Sequence, residues 1–332
     1  MSRQRPFSLL IGLLAAFALV AASCGSSSDG ESSDGGDAFR IAMVAPSARN
    51  DVAFTQSMVD SINILGESRT IEFDITDGTF VVEDAALALR GYAEEGFDLV
   101  IAHGSQYGGP LQEIAPDFPD VAFAWGTAVD TFDLPNVSAY TVSSDQGGYV
   151  LGTIAAQLSE NGVVGVVGPV EVGDAALYVN GFAAGAAAQN PDVSVNVNYI
   201  ESFSDVALAA EAASAHVGND ADILTGSAQM VVGATGVASE RSVPWFGTQS
   251  NQTVLAPDVV VASQVYHWEV ILDEIIANVE SGTLGGEVFT LTLANGGLVI
   301  EYNDGFALDA DIRSAADATA AGLADDSIST GL

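Results

Sequence analysis

From Ala38 onward, short β-branched runs alternate with amphipathic stretches rich in small residues. That rhythm predicts parallel strands joined by crossover helices. The pattern predicts strands over Ile41–Ala45, Ile71–Ile75, Leu99–Ala102, Val121–Ala124, Val163–Val167, Val193–Tyr199, Ile223–Thr225, Val243–Phe246 and Val259–Ala262. Between them it predicts helices over Val52–Leu65, Glu83–Glu95, Tyr149–Leu158, Ala175–Gln189, Val206–Val217, Met230–Ser239 and Trp268–Ser281. Many of the strand runs are apolar along their whole length, as in a sheet covered on both faces. After Ser263 the rhythm changes. A helix to Ser281, strands over Val288–Leu293 and Gly297–Tyr302, an Ala-rich helix from about Ala310 to Ala324 and a frayed tail close the chain.

About 290 residues of such alternation are too many for one ordinary domain and suit two. Ala38–Tyr140 and Gly147–Gly247 repeat one theme, strand-helix units whose strands end in polar or Gly-rich turns. The predicted fold is therefore α/β, two doubly wound parallel-sheet lobes joined by a hinge. The first lobe takes residues 39–142 with about 264–285, and the second takes 143–263 with about 286–332. In open α/β sheets ligands sit at the carboxyl ends of the strands, so two facing lobes form a cleft that traps a solute.

Ahead of this region, Arg3 and Arg5 precede an apolar run from Phe7 to Ala22, which closes in small residues before the single cysteine, Cys24. This is the layout of an export signal. As a helix the run would span about 24 Å, short of the ~30 Å hydrocarbon core, so a permanent membrane span is the weaker reading. Ala21-Ala22-Ser23-Cys24 resembles a bacterial lipobox, with Ala21 where Leu is usual, and implies a signal over 1–23 and lipidation at Cys24. An ordinary secretory signal with an incidental cysteine is the alternative. Residues 24–38 have the Gly, Ser and acidic composition of a flexible leash. These features predict a monomer tethered by lipid to the extracytoplasmic face of the cell membrane.

The 332 residues carry 8 basic against 44 acidic side chains, for a formal charge of −36, yet 48% are apolar, which excludes disorder. All the cations are arginine, and lysine is absent. Walker-type phosphate loops, Schiff-base chemistry and lysine general bases are excluded with it. So negative a chain repels phosphate backbones, which excludes nucleic acid as a partner and polybasic docking on anionic lipid. One cysteine makes no internal disulfide, and three histidines give no Cys/His cage, so no metal and no cofactor are expected. The sequence lacks a nucleophile elbow, a zinc-protease helix and an EF-hand loop. It reads as a binding protein and not an enzyme, with a carboxylate-pair hydrolase and a ligand sensor for a membrane receptor as alternatives. The acidity is assigned to the outer surface and the leash, where it resembles adaptation to a salty medium.

The candidate chemistry gathers at predicted strand ends: Asn50, Asp51 and Phe54; Ser105 and Tyr107; Trp125; Phe203; Gln249; Tyr266 and Trp268. Aromatic faces stack on a planar ligand, and amides and carboxylates read its edge.

Several segments, in order along the chain, resemble the basic membrane protein family, purine-receptor lipoproteins of ABC importers. Asn50-Asp51-Val-Ala-Phe54-Thr-Gln56 resembles the family's D-x-x-[FW]-x-Q opening. Tyr149-Val-Leu-Gly152-Thr-Ile-Ala-Ala156 is similar to Y-L-A-G-x-x-A-A, Val179-Asn-Gly-Phe182-Ala-Ala-Gly185 to N-G-F-x-x-G, and Ser202-Phe203-Ser-Asp205 to S-F-x-D. Gly247-Thr-Gln-Ser-Asn-Gln252, then Ala256-Pro257-Asp and Ser263, resembles G-x-D-x-D-Q and A-P-x-x-V-x-x-S. The resemblance implies a type I periplasmic-binding-protein fold, an ABC permease as partner, and Phe54 and Phe203 stacking on a base with Asn50 or Asp51 at its edge. Where the family's nucleoside binders hold ribose with an aspartate and a lysine, this chain has Gln249 and Tyr266, and Trp125 falls where they tend to carry an acid near the base. Tyr266-His-Trp268 resembles a branch with W-N-W. The ligand this implies is a nucleobase or similar planar heteroaromatic in preference to a nucleoside.

Overall fold

The computed structural model describes residues 38–332. The signal segment and the lipidation expected at Cys24 fall outside them. Among the described residues no helix is long and apolar enough to cross a membrane.

The chain begins with β1 (Phe39–Val44), α1 (Phe54–Gly66), β2 (Ile71–Thr76), α2 (Val82–Glu94), β3 (Leu99–His103), α3 (Gly108–Ile114), β4 (Ala122–Gly126) and β5 (Val137–Val142). It continues through α4 (Ser144–Leu158), β6 (Val163–Gly168), α5 (Gly173–Gln189), β7 (Ser194–Tyr199), α6 (Val206–Gly218), β8 (Ile223–Gly226) and α7 (Val231–Arg241). The last elements are β9 (Trp245–Gln249), β10 (Val260–Tyr266), α8 (Glu269–Glu280), β11 (Val288–Leu291), β12 (Leu298–Tyr302) and α9 (Ala310–Ala324).

These strands form two six-stranded sheets, in the orders β11-β5-β4-β3-β1-β2 and β12-β10-β9-β8-β6-β7. Every pairing is parallel except β12 against β10. Strand alternation divides each core. Ile41 and Met43 point to the side packed by α1 and α8, whereas Ala42 and Val44 point to the side packed by α2 and α3. In the second sheet α4, α5 and α9 cover one face, and α6 and α7 the other. This double coverage explains why the strands read as unbroken apolar runs.

The chain crosses between lobes after β5, between β10 and α8, and after β11. The boundary drawn at 286 from the sequence puts Val288–Leu291 in the second lobe. The structure instead pairs it with β5 in the first sheet, Val288 beside Ala139 and Leu291 beside Val142. Two elements escape the sequence pattern. In β5, Ser138 and Thr141 interrupt the apolar run, although the strand is almost wholly buried. The Asn136 amide ahead of it donates to the carbonyls of Ala115, Phe118 and Val121 and ties it to the end of α3. Helix α3 opens Gly108-Gly109-Pro110, which reads as a breaker but is tolerated in a helix's first turn.

Helices α4 and α5 pack with their backbones nearly in contact. A Cβ at Gly152 would strike the Phe182 carbonyl, and one at Gly185 the Tyr149 carbonyl. The glycines of the two segments Tyr149–Ala156 and Val179–Gly185 therefore serve the same close crossing.

Candidate functional site

Between the lobes, at the carboxyl ends of both sheets, lies a cavity of about 160 Å³. That size is close to the roughly 150 Å³ that admits a benzene ring in an apolar protein interior. The first lobe supplies Phe54, Phe80, Ser105, Gln106 and Thr127, and the second supplies Val172, Asp174, Phe203, Gln229 and Gln249.

Phe54 is held by the loop before α1. The Asp51 carboxylate accepts the backbone N–H groups of Ala53 (2.9 Å), Thr55 (3.1 Å) and Gln56 (3.0 Å), together with the Ser47 hydroxyl (2.6 Å). One face of the Phe54 ring stacks on His103, with centroids 3.9 Å apart and planes 8° from parallel. His103 is fully buried. Its Nε2–H donates to the Phe54 carbonyl at 3.0 Å, which leaves Nδ1 to accept the Tyr140 hydroxyl at 2.7 Å. Burial depresses the imidazole pKa to about 3, opposed by the bond to the Phe54 carbonyl, so the ring is neutral.

Phe203 comes from the loop between β7 and α6, where Ser202 Oγ accepts two backbone N–H groups and Asp205 caps the helix by accepting Leu208 N–H. Its carbonyl accepts Met230 N–H at 3.1 Å. Asp174 lies in the first turn of α5. Its Oδ1 accepts the Thr127 hydroxyl from the opposite lobe at 3.3 Å, and its Oδ2 accepts the Tyr266 hydroxyl at 3.5 Å. Burial raises this carboxyl above its usual range, and the bonds from Thr127, two backbone N–H groups and Tyr266 oppose the rise. Gln249 ends β9 with φ +72°, and its Oε1 is buried without a hydrogen-bond partner.

Of the residues expected from the sequence, Phe54, Ser105, Phe203 and Gln249 thus line one cavity. The other six do not. Asn50 is exposed on the outer side of its loop, and the Asp51 carboxylate is occupied by the turn it caps. Tyr107 is wholly buried in the first-lobe core, with its hydroxyl on the Thr79 carbonyl at 2.7 Å. Trp125 stacks on Phe132 at 4.8 Å and donates to the Gly104 carbonyl. Tyr266 stands behind Asp174, and Trp268 stands edge-on behind Phe54 and His103, with its N–H on Ser57 Oγ at 2.9 Å. Tyr107, Tyr266 and Trp268 are aromatic residues near the expected strand ends whose rings turn into the core. Sequence reasoning missed Phe80, Gln106, Thr127, Asp174 and Gln229. For Asp174 a signal existed in its place on the Gly173-Asp174 turn after β6, but it was masked by the abundance of acids.

Two hinged α/β lobes around a single aromatic-walled cleft define the solute-binding class of protein. Residues 38–318 match the family model of PnrA-like ABC transporter substrate-binding proteins, and the chain belongs to that family. It is 32% identical to a purine-binding protein of Brucella abortus over 213 residues, which span 64% of this chain and 59% of that protein, less than two thirds of its length. It is 27% identical to basic membrane protein A of Borreliella burgdorferi over 245 residues, 71% of each chain. Among solved structures, an ABC transporter solute-binding protein from Conexibacter woesei superposes with a TM-score of 0.74 at 25% identity, covering 88% of this chain and 98% of that one.

Proposed function

We propose that this protein captures a purine nucleobase or a similar planar heteroaromatic outside the cytoplasmic membrane and delivers it to an ABC permease, as a monomer anchored by lipid at Cys24. The observation that carries this reading is the pair of phenylalanines, Phe54 and Phe203, brought from opposite lobes to one cavity. A flat ring entering the cleft meets Phe54, whose far face is already covered by His103, and Phe203 from the other side. Neutral amides and one carboxyl are placed to read its edge. Ligand contacts made to both lobes stabilise the closed arrangement over the open one, and the closed form is what a permease recognises.

Two features favour a base over a nucleoside. Gln249 is neutral where a charged group would grip ribose hydroxyls, and Tyr266 is withdrawn behind Asp174. Asp174 is also the one titratable side chain lining the cavity, which does not suit a two-carboxylate hydrolase. Calorimetry with purine bases tests the reading. Phe203→Ala and Phe54→Ala should each weaken binding by ~1–3 kcal/mol, the value of one stacked face. An unchanged dissociation constant in both variants would remove the pair from the site.

A further inference from the structure

The cavity has an electrical character that its aromatic walls do not explain. No arginine or histidine lines it, the chain has no lysine, and Asp174 is its one ionisable group. The two side-chain donors that reach this carboxyl do so at 3.3 and 3.5 Å, the outer limit of hydrogen bonding. A carboxylate offers about four lone-pair sites; two backbone N–H groups and these two long bonds share them, so a ligand N–H at the cleft gains a place by displacing a long bond. Gln249 lines the same cavity, and its Oε1 is buried without a hydrogen-bond partner. A buried acceptor without a donor is costly, and a guest that supplies N–H groups removes that cost. A guest with a negative charge would face Asp174 with no cation to offset it.

We infer that Asp174, assisted by Gln249, is the specificity-determining group of the cleft, and that it selects planar heterocycles bearing ring N–H or amino donors and no negative charge. The inference rests on the planar-heterocycle reading above and narrows it to a donor-edged, uncharged or cationic ligand. Asp174 spans the lobes through Thr127, so a ligand N–H that replaces the long bond from Thr127 is read at the place where the lobes meet.

Binding of 2-aminopurine, unsubstituted purine and xanthine near neutral pH tests this. Xanthine keeps ring N–H groups but loses a proton near neutral pH and sets oxo acceptors where 2-aminopurine carries its amine, so the contrast rests on charge and on the amine, while the bicyclic frame available for stacking is the same. The wild-type protein should bind 2-aminopurine roughly ten- to hundredfold more tightly than xanthine, the range of a hydrogen bond to a charged group. Asp174→Asn should erase most of that ratio while purine still binds, which shows that the variant is folded. Thr127→Val, which keeps the carboxylate, should preserve the ratio. Equal affinity for xanthine and 2-aminopurine in the wild type, or an unchanged ratio in Asp174→Asn, would overturn the role of Asp174. If none of the three heterocycles binds while a sugar or an amino acid does, the planar-heterocycle reading fails, and this inference with it.

Discussion

Phe54 presents a single face to the cleft because His103 covers the other, and this arrangement ties the ligand wall to a titratable group. His103 is neutral when folded, with its pKa depressed by burial from 6.5 to about 3. His216, buried against the Val166 carbonyl, is shifted in the same direction by the same cause. The unfolded chain takes up these protons as pH falls below about 6.5, and the folded chain does not. Stability is therefore fully present above that pH and declines below it, by about 1.4 kcal/mol per pH unit for His103 alone. Urea midpoints between pH 6.5 and about 5, before most carboxylates titrate, should fall, and His103→Gln should lessen the slope. An identical slope in the variant would show that His103 protonates freely in the folded protein. The histidine's place at a strand end was legible in the sequence. Its stacking under Phe54 was not, because that depends on how β3 and the α1 entry face each other across the sheet.

At the scale of elements, the segment between β10 and α8 links the lobes and carries the clearest charged contact between them. His267 Nδ1 lies 2.6 Å from Glu269 Oε1, and Nε2 lies 3.8 Å from Glu301 Oε1. Glu269 begins α8 on the first lobe, where it also accepts the Ser61 hydroxyl, and Glu301 lies in β12 on the second, where it also accepts the Asn251 amide. Bonds to Glu269 and then Glu301 raise the imidazole pKa to about 9 against the effect of burial. This sign is opposite to that of His103. The contribution is complete below the unfolded value of 6.5 and is lost as pH rises through about 9. Melting temperatures should fall across that window, and His267→Gln should flatten the fall. A decline of equal size in the variant would place the alkaline sensitivity elsewhere. Most elements were legible from periodicity because each helix and strand buries a continuous face. The sheet to which β11 belongs was not, since a four-residue strand carries no mark of its partner.

Across the whole molecule, the structure explains why so acidic a chain folds. Apolar side chains of the described region fill both faces of the two sheets, while its arginines pair largely with acids at the surface, as in Arg69 with Asp273 and Glu280, and Arg90 with Asp117. The cleft itself admits one carboxyl and no cation. Two lobes with a cleft were readable from the doubled strand-helix theme, and Phe54 and Phe203, which line that cleft, were among the residues at predicted strand ends. The one acid lining the cavity was hidden among 44, because only the fold separates a carboxyl facing the cleft from those facing solvent.

The central claim concerns the class of ligand, and thermal unfolding of the protein against purine bases, nucleosides, sugars and amino acids tests it most directly. A ligand present at a hundredfold its dissociation constant adds about 2.7 kcal/mol to stability, enough to shift the melting temperature clearly. A purine base should raise it most, a nucleoside less, and sugars and amino acids not at all. A rise with a sugar or an amino acid and none with any purine would contradict the account.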